Sequence, residues 1–567
     1  MRHCPRLTRF TSGLLLSLLL ATGCASVRGR ATQAALSRLD ISLCPDRSLE
    51  LPAPPGFTPE FTVIQLNDIY RIGPVRGGRA GGLSRVAALV ERTRSEGQPV
   101  FLVHAGDFLF PSVESDLFGG RMMVDALNFL DRELKGGEAS TRGELLVVPG
   151  NHEFEKEEAG PLVEALGRSE FRWIASNLEL TGAASGVSGR VARDALLQMG
   201  GMKVGIFALT LEEGLTGRAY ARTPDGYRAS AEERIAELER RGAELLIGIT
   251  HLRMTDDVPL ARKLRERHPK LLWLAGGHDH TCMYSQPSAL VTKGDANAVR
   301  VWRLVFGRDG TGAPALRAEM LSLTEAYETS ARYDANVWAP SLKELEEKLP
   351  GYSEVIGKAR VPLEAREQCI RNMETNLGNY LTDLMRAEAG PTAPAQDTLA
   401  AVNGGLIRLD DRVDGVLSGE FLERTLGFKA PVCRAEVRGS DIQKLLEYSV
   451  SGNPGEGRFL QVSGLRFTFT RERAPNRRVT SVEVGDVRGG FSPLEEDKTY
   501  VLMTLERIMK KLESEGRKKY PLTCGRDLED LLREGLGKEP EGIAPRKEGR
   551  ITELNAPDYC PEPAAAP

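Results

Sequence analysis

Apolar residues along this chain gather into short β-branched runs separated by stretches of helical spacing. Phe61–Leu66, Val100–Val103, Glu144–Val148, Leu245–Thr250 and Leu271–Leu274 have the length and composition of strands. Between them, Leu83–Glu96 carries Leu83, Val86, Ala87 and Val90 on one helical face. Ser230–Arg241 opens on Ser230 and Glu233, the spacing of a capping box. Strand, loop and helix alternate to about residue 325, which predicts a layered α/β domain over 61–325. From 326 to 360 the pattern turns helical and charged, clearest at Leu342–Leu349, and predicts a helical linker. A second α/β domain is expected over 361–554. It opens on a helix with Leu377, Tyr380, Leu381, Leu384 and Met385, and later holds the strand-like runs Arg458–Val462 and Leu465–Thr470. The proline- and alanine-rich end, 555–567, is predicted to be disordered.

The residues just after each strand of the first domain turn the picture from architecture to chemistry. Four of the runs lead into LNDIY (66–70), AGDF (105–108), GNHE (150–153) and GGHDH (276–280), and the fifth ends at His251. In open α/β sheets the loops at the carboxyl ends of the strands converge on one crevice. Asp68, Asp107, Asn151, His251, His278 and His280 are therefore expected to meet as metal ligands. Oxygen and imidazole donors without thiolates suit zinc, manganese or iron, and paired ions about 3.5–4 Å apart clamp both oxygens of a phosphoryl displacement. Asp107 is the natural bridging carboxylate. Of the seven histidines, His152, His251, His278 and His280 sit at these strand ends, whereas His104 and His268 read as ordinary residues.

Length and composition narrow the partners. A chain of 567 residues exceeds one hydrophobic core, and 41% hydrophobic content with a net charge of -4 lacks the basic excess of a binder of nucleic-acid polymers. A small-molecule substrate is expected. Arg2, Arg6 and Arg9 precede the apolar run Leu14–Leu20 and the sequence Ala21-Thr-Gly-Cys24, so 1–24 reads as a secretory signal. Its ending resembles the bacterial lipobox, which implies a lipid anchor on Cys24 and a place in the periplasm or cell envelope. A plain signal peptide cleaved near Ala25 is the alternative. Residues 25–60 are small, polar and proline rich and read as a tether. Six further cysteines would lie in an oxidising compartment, where disulfides are permitted but their pairing is left open. The absence of a C-x-x-C spacing argues against zinc–thiolate chemistry.

The order of the GD, GNHE, single-histidine and GHxH stretches resembles the calcineurin-like metallophosphatases, and within them the exported 5'-nucleotidases. Glu374–Asn379, Asn403–Arg408 and Phe459–Leu465 extend the resemblance into the second half. It implies a four-layer α/β/β/α metallophosphatase sandwich followed by a 5'-nucleotidase-type substrate-binding domain. It also implies two divalent metal ions (zinc, manganese or iron): one held by Asp68, Asp107 and His280, the other by Asp107, Asn151, His251 and His278. Metal-activated hydroxide would attack phosphorus. His152 resembles the catalytic histidine that serves the leaving oxygen, with Glu155 standing where the family has an aspartate to orient it. In the second domain Asn403, Arg408 and Phe459 would contact phosphate, sugar and base of a 5'-nucleotide or related phosphate ester.

Two departures from the family pattern stand out. The first motif is usually Asp-x-His, and here it ends in Tyr70. Tyr70 then ligates an iron-containing site, lies beside a three-ligand metal, or marks the loss of that metal. Near the end, Glu515–Tyr520 replaces the loop before the family's second stacking aromatic, leaving Tyr520 as its substitute. A nucleotide-binding lipoprotein with impaired catalysis is the alternative to an enzyme.

Overall fold

The computed structural model describes residues 39–560 apart from 46, 216–217, 392, 427–428, 488, 517–518 and 557–558. The segment read as a secretory signal, with Cys24, and the tail from 561 onward lie outside the described residues. Contacts divide the chain into two compact units, one ending at Glu354 and the other beginning at Val355.

In the first unit two sheets face each other. The strands that matter for the site are β1 (Thr58–Leu66), β2 (Val100–His104), β3 (Leu145–Val147), β4 (Leu245–His251), β5 (Leu271–Gly276) and β6 (Leu290–Lys293). β1, β2 and β3 run parallel in an eight-stranded sheet. β4, β5 and β6 run parallel in a seven-stranded one. These strands are buried on both faces, which is why they read as continuous apolar runs rather than alternating ones. Between the sheets lies a core with Phe61, Val103, Leu146, Ile247, Trp273 and Trp302. Outside the first sheet, helices Leu83–Arg94, Arg121–Lys135 and Gly160–Arg168 bury their apolar stripes. Outside the second, Gly226–Arg240 and Met254–Arg267 do the same. The result is the expected α/β/β/α sandwich.

Three details of this unit differ from the sequence reading. The segment assigned to a tether contributes edge strands: Ser42–Leu43 pairs with Met283–Tyr284, Leu49–Leu51 pairs with Ala318–Met320, and Cys44 is bonded to Cys282. Such two- and three-residue strands carry no periodicity to detect. The helix read from Ser230 begins four residues earlier, at Gly226, where Glu212 accepts the Tyr227 N–H at 3.0 Å, so the Ser230 capping box does not form. The helical segment placed in a linker lends Tyr333, Val337, Leu345 and Tyr352 to the core of the first unit.

The second unit has a five-stranded sheet built on Thr398–Asn403, Pro431–Arg438 and Thr499–Leu505, a four-stranded sheet that includes Leu465–Phe469, and a two-stranded one. Helix Asn376–Ala387 starts where the Thr375 hydroxyl accepts the Gly378 N–H, an ordinary N-cap. Cys369 is joined to Cys560 and Tyr559 accepts from Arg471, so the start of the segment expected to be disordered is tied to this unit; with Cys433 joined to Cys524, all six cysteines among the described residues are paired.

Candidate metal centre

Every predicted ligand of the first unit lies at or just beyond the carboxyl end of one of these parallel strands. The backbone turns sharply there. Asp68, Asp107, His278 and His280 adopt φ of 52°, 61°, 80° and 54°, a left-handed conformation that costs a non-glycine residue of order 1–3 kcal/mol. Close approach is also built in at Gly150, where an added Cβ would meet Asp107 Oδ1 at 2.1 Å. The loops are thus held in conformations that only their surroundings make tolerable.

Each carboxylate has one oxygen held and one presented. Asp68 Oδ2 accepts from Asn67 Nδ2 at 2.8 Å and from the His278 N–H at 2.9 Å, leaving Oδ1 facing His280 Nε2 at 3.4 Å. Asp107 Oδ1 accepts the His152 N–H at 2.8 Å. Asp107 Oδ2 lies 3.1 Å from His251 Nε2 and 3.2 Å from the Tyr70 hydroxyl. Asn151 Oδ1 stands 3.1 Å from His251 Nε2 and 3.0 Å from His278 Nδ1. His251 Nδ1 is oriented by the Ala105 carbonyl at 2.7 Å, which turns Nε2 toward the centre.

These spacings form two groups that share Asp107: Asp68, Asp107 and His280 on one side, Asp107, His251 and His278 on the other. Donors placed about 2.0–2.2 Å from a cation stand about 3.0–3.5 Å from one another in a tetrahedron or octahedron. The observed 3.0–3.4 Å separations fit that polyhedron. Tyr70 joins the first group: its hydroxyl is 3.0 Å from His280 Nε2, 3.2 Å from Asp107 Oδ2 and 3.4 Å from Asp68 Oδ1.

The electrostatics call for a cation. Burial pushes the Asp68 and Asp107 carboxyls up, but His280 facing the first and His251 facing the second outweigh it and bring both below the ordinary value. Burial pulls His251 down, yet the same two carboxylates lift it to about 9. His278 goes the other way, to about 4, through burial and the repulsion of His251. Two carboxylates no more than 1% exposed require compensating positive charge, and a divalent ion provides it while leaving the imidazoles neutral as ligands.

His152 is placed beside this centre rather than in it. Its Nδ1 lies 2.6 Å from Glu155 Oε2 and its Nε2 4.0 Å from Asp107 Oδ2. The extra methylene of Glu155, relative to aspartate, does not prevent the contact. Burial lowers the His152 pKa, but the Glu155 hydrogen bond and the Asp107 charge raise it overall. The neighbouring Glu153, absent from the predicted site, accepts four backbone N–H groups, from Asp107, Phe108, Leu109 and Gly150, at 2.5–3.0 Å. It fastens the Asp107 loop to the Asn151 loop. His104 is an aromatic core residue, edge-on to Phe108 at 5.1 Å.

The predicted substrate residues of the second unit divide. Arg408 is exposed, and the like charge it shares with Arg371 and Arg507 adds to burial in lowering the pKa of both. Arg507 Nη2 donates to Asn403 Oδ1 at 3.0 Å, and Asn403 Nδ2 to the Gly457 carbonyl at 2.8 Å. Arg371 is itself paired with the Glu367 carboxylate. Arg371 and Arg507 give no signal in the sequence, because they lie 37 and 99 positions from Arg408 with no motif around them. Phe459 does not present a stacking face: it is 1% exposed in the core, 6.1 Å from Phe469. Tyr520 is likewise buried, and burial together with its hydrogen bond to Asp441 pushes its phenol up. Both aromatics serve the core here, since a sequence shows an aromatic residue but not the direction of its ring.

Residues 61–282 match the family described as calcineurin-like phosphoesterase, and residues 355–512 match the 5'-nucleotidase C-terminal domain. Snake venom 5'-nucleotidase of Crotalus adamanteus is 27% identical over 495 residues, covering 78% of this chain and 80% of that protein. The 5'-nucleotidase of Bos taurus is 25% identical over 488 residues, covering 78% of this chain and 81% of that protein. A 5'-nucleotidase precursor from Thermus thermophilus shares the fold, with a TM-score of 0.64, 24% identity, and coverage of 88% of this chain and 100% of that one.

Proposed function

We propose, since this chain belongs to the calcineurin-like phosphoesterases that carry a 5'-nucleotidase C-terminal domain, that it hydrolyses 5'-nucleotides or related phosphate esters at the Asp107 centre. The observation that carries the reading is Asp107, the one carboxylate common to both donor groups, with Oδ2 3.1 Å from His251 Nε2. Asp68, Asp107 and His280 would hold one divalent ion, and Asp107, Asn151, His251 and His278 the other. When bound, such ions make water nucleophilic at neutral pH and offset charge on the transferring phosphoryl group. His152, oriented through Nδ1 by Glu155, would hold a proton at Nε2 for the leaving oxygen. Arg408, with Arg371 and Arg507, would take an anionic or ribose-bearing part of the substrate. Two donor groups that share Asp107 support an enzyme over the catalytically impaired binder.

The purified chain, loaded in turn with manganese, zinc or iron, is expected to release phosphate from AMP, with UDP-glucose, a cyclic nucleotide and an aryl phosphate as comparisons. No turnover of any of them with any metal would overturn the reading. Export is proposed as well, with Cys24 as the anchor. Three disulfides support an oxidising compartment, and none of the described helices is long and apolar enough to cross a membrane.

Tyr70 is proposed as a fourth donor of the first site. Burial and the charges of Asp107 and Asp68 hold its phenol protonated on its own, so only a strongly acidic ion would claim the oxygen. With the phenolate bound, three anionic donors would surround one ion, and this site would then hold trivalent ferric iron in place of a divalent ion. The iron-loaded chain is expected to show a phenolate-to-iron charge-transfer band in visible light, absent from Tyr70→Phe. Tyr70→Phe is also expected to lose first-site affinity by at least the roughly 10–100-fold typical of lost supporting contacts. A colourless iron form whose affinity is unchanged in Tyr70→Phe makes Tyr70 a packing residue.

A further inference from the structure

Lys293 is a charged side chain inside the first unit, 1% exposed at the end of β6. Its Nζ lies 2.9 Å from Asp257 Oδ2, 2.7 Å from Asp279 Oδ2, 2.6 Å from the Gly277 carbonyl and 2.5 Å from the Leu252 carbonyl. An ammonium has three protons, so four oxygens saturate it. The identity of these partners is what matters. Leu252 follows the ligand His251, Gly277 precedes His278, and Asp279 stands between His278 and His280. One side chain therefore ties together the loops that carry all three imidazole ligands.

The surroundings are shaped for it. Gly276 is the register partner of Lys293, and a Cβ there would lie 2.9 Å from Lys293 Cε and 3.0 Å from Asp257 Oδ2. Asp279 Oδ2 also accepts the Met254 N–H at 2.8 Å, joining the same carboxylate to the helix that follows His251. An apolar side chain would fill a strand end without the desolvation that a buried ammonium and carboxylate bring. The backbone supplies the need for restraint: His278 and His280 both sit at positive φ and must be held there.

We infer that Lys293, acting with Asp279, is the positioning residue that sets the spacing of His251, His278 and His280 for metal binding. The inference rests on the reading of this centre as a two-metal site. Lys293 is closed to solvent, and Asp279 commits its Oδ2 to Lys293 and the Met254 N–H. Their effect is transmitted through the loops, as with other groups that orient metal ligands.

The test measures metal binding rather than turnover. Full-length wild type, Lys293→Met, Asp279→Asn and the double variant are titrated with zinc against a chromophoric chelator, with thermal unfolding of the metal-free proteins in parallel. Each single variant is expected to weaken zinc binding about 10–100-fold, and the double variant by little more than the stronger single one, because the two act as a unit. Asp279→Asn keeps an oxygen for Lys293 Nζ and the Met254 N–H and leaves Asp257 beside the ammonium, so it is expected to fold, and it decides the matter alone if Lys293→Met does not. Wild-type affinity in folded variants, or fully additive losses, overturns the inference. A wild type that takes up none of zinc, manganese or iron overturns the two-metal reading itself, whereas one that takes up another of these ions is titrated with that ion, so the two failures are distinguishable.

Discussion

In His152→Ala, phosphate release is expected to fall about 10²–10⁴-fold, the range of a positioned acid or base, while both metal ions stay bound. The separation of effects comes from geometry. The His152 side chain is not among the donors, its Nε2 being 4.0 Å from Asp107 Oδ2. What His152 gives the centre is its backbone N–H, which fixes Asp107 Oδ1 at 2.8 Å and survives in alanine. Metal analysis and steady-state kinetics on the same preparation check this. Full activity in His152→Ala would remove the imidazole from the mechanism, and a loss of metal would recast it as structural. Glu155→Gln keeps an oxygen for Nδ1 and removes the charge that raises the His152 pKa. Its loss is therefore expected to be smaller than that of His152→Ala.

The loops that carry the candidate donors were legible because each is local. A β-branched run followed by GD, GNHE or GHDH states both the strand and what lies at its carboxyl end, and parallel sheets bring such ends together. Residues that act across the fold were not legible. Glu153 stands inside the GNHE motif, yet its four N–H partners come from another loop and from Gly150. Lys293 ends an apolar strand, which would have been the signal, but its partners lie 14 to 41 positions away. Phe459 and Tyr520 mark the converse limit. A motif can preserve an aromatic residue whose ring the surrounding core takes for itself. The six cysteines obeyed no spacing rule, since their pairs span 238, 191 and 91 positions.

Asp107→Asn should be the most damaging single substitution. An amide at this position has one acceptor, and the His152 N–H at the Oδ1 site claims it. The NH₂ group then occupies the Oδ2 position, facing His251 Nε2 and the Tyr70 hydroxyl, where both ligand groups need an anion. Both ions are expected to bind poorly, although only one side chain has changed and its volume has not. Charge stabilisation by bound ions is worth several kcal/mol, so at roughly 1.4 kcal/mol per tenfold the loss should be three orders of magnitude or more. Thermal unfolding checks the cause independently of turnover. Metal at 100 times its dissociation constant stabilises a protein by about 2.7 kcal/mol, and Asp107→Asn should show almost none of the resulting rise in Tm. Asp68→Asn is the control. Asp68 belongs to the first ligand group alone, so one ion should remain bound there. If Asp107→Asn retains two ions, or loses only one as Asp68→Asn does, then Asp107 is not the shared ligand and the centre is two separate sites.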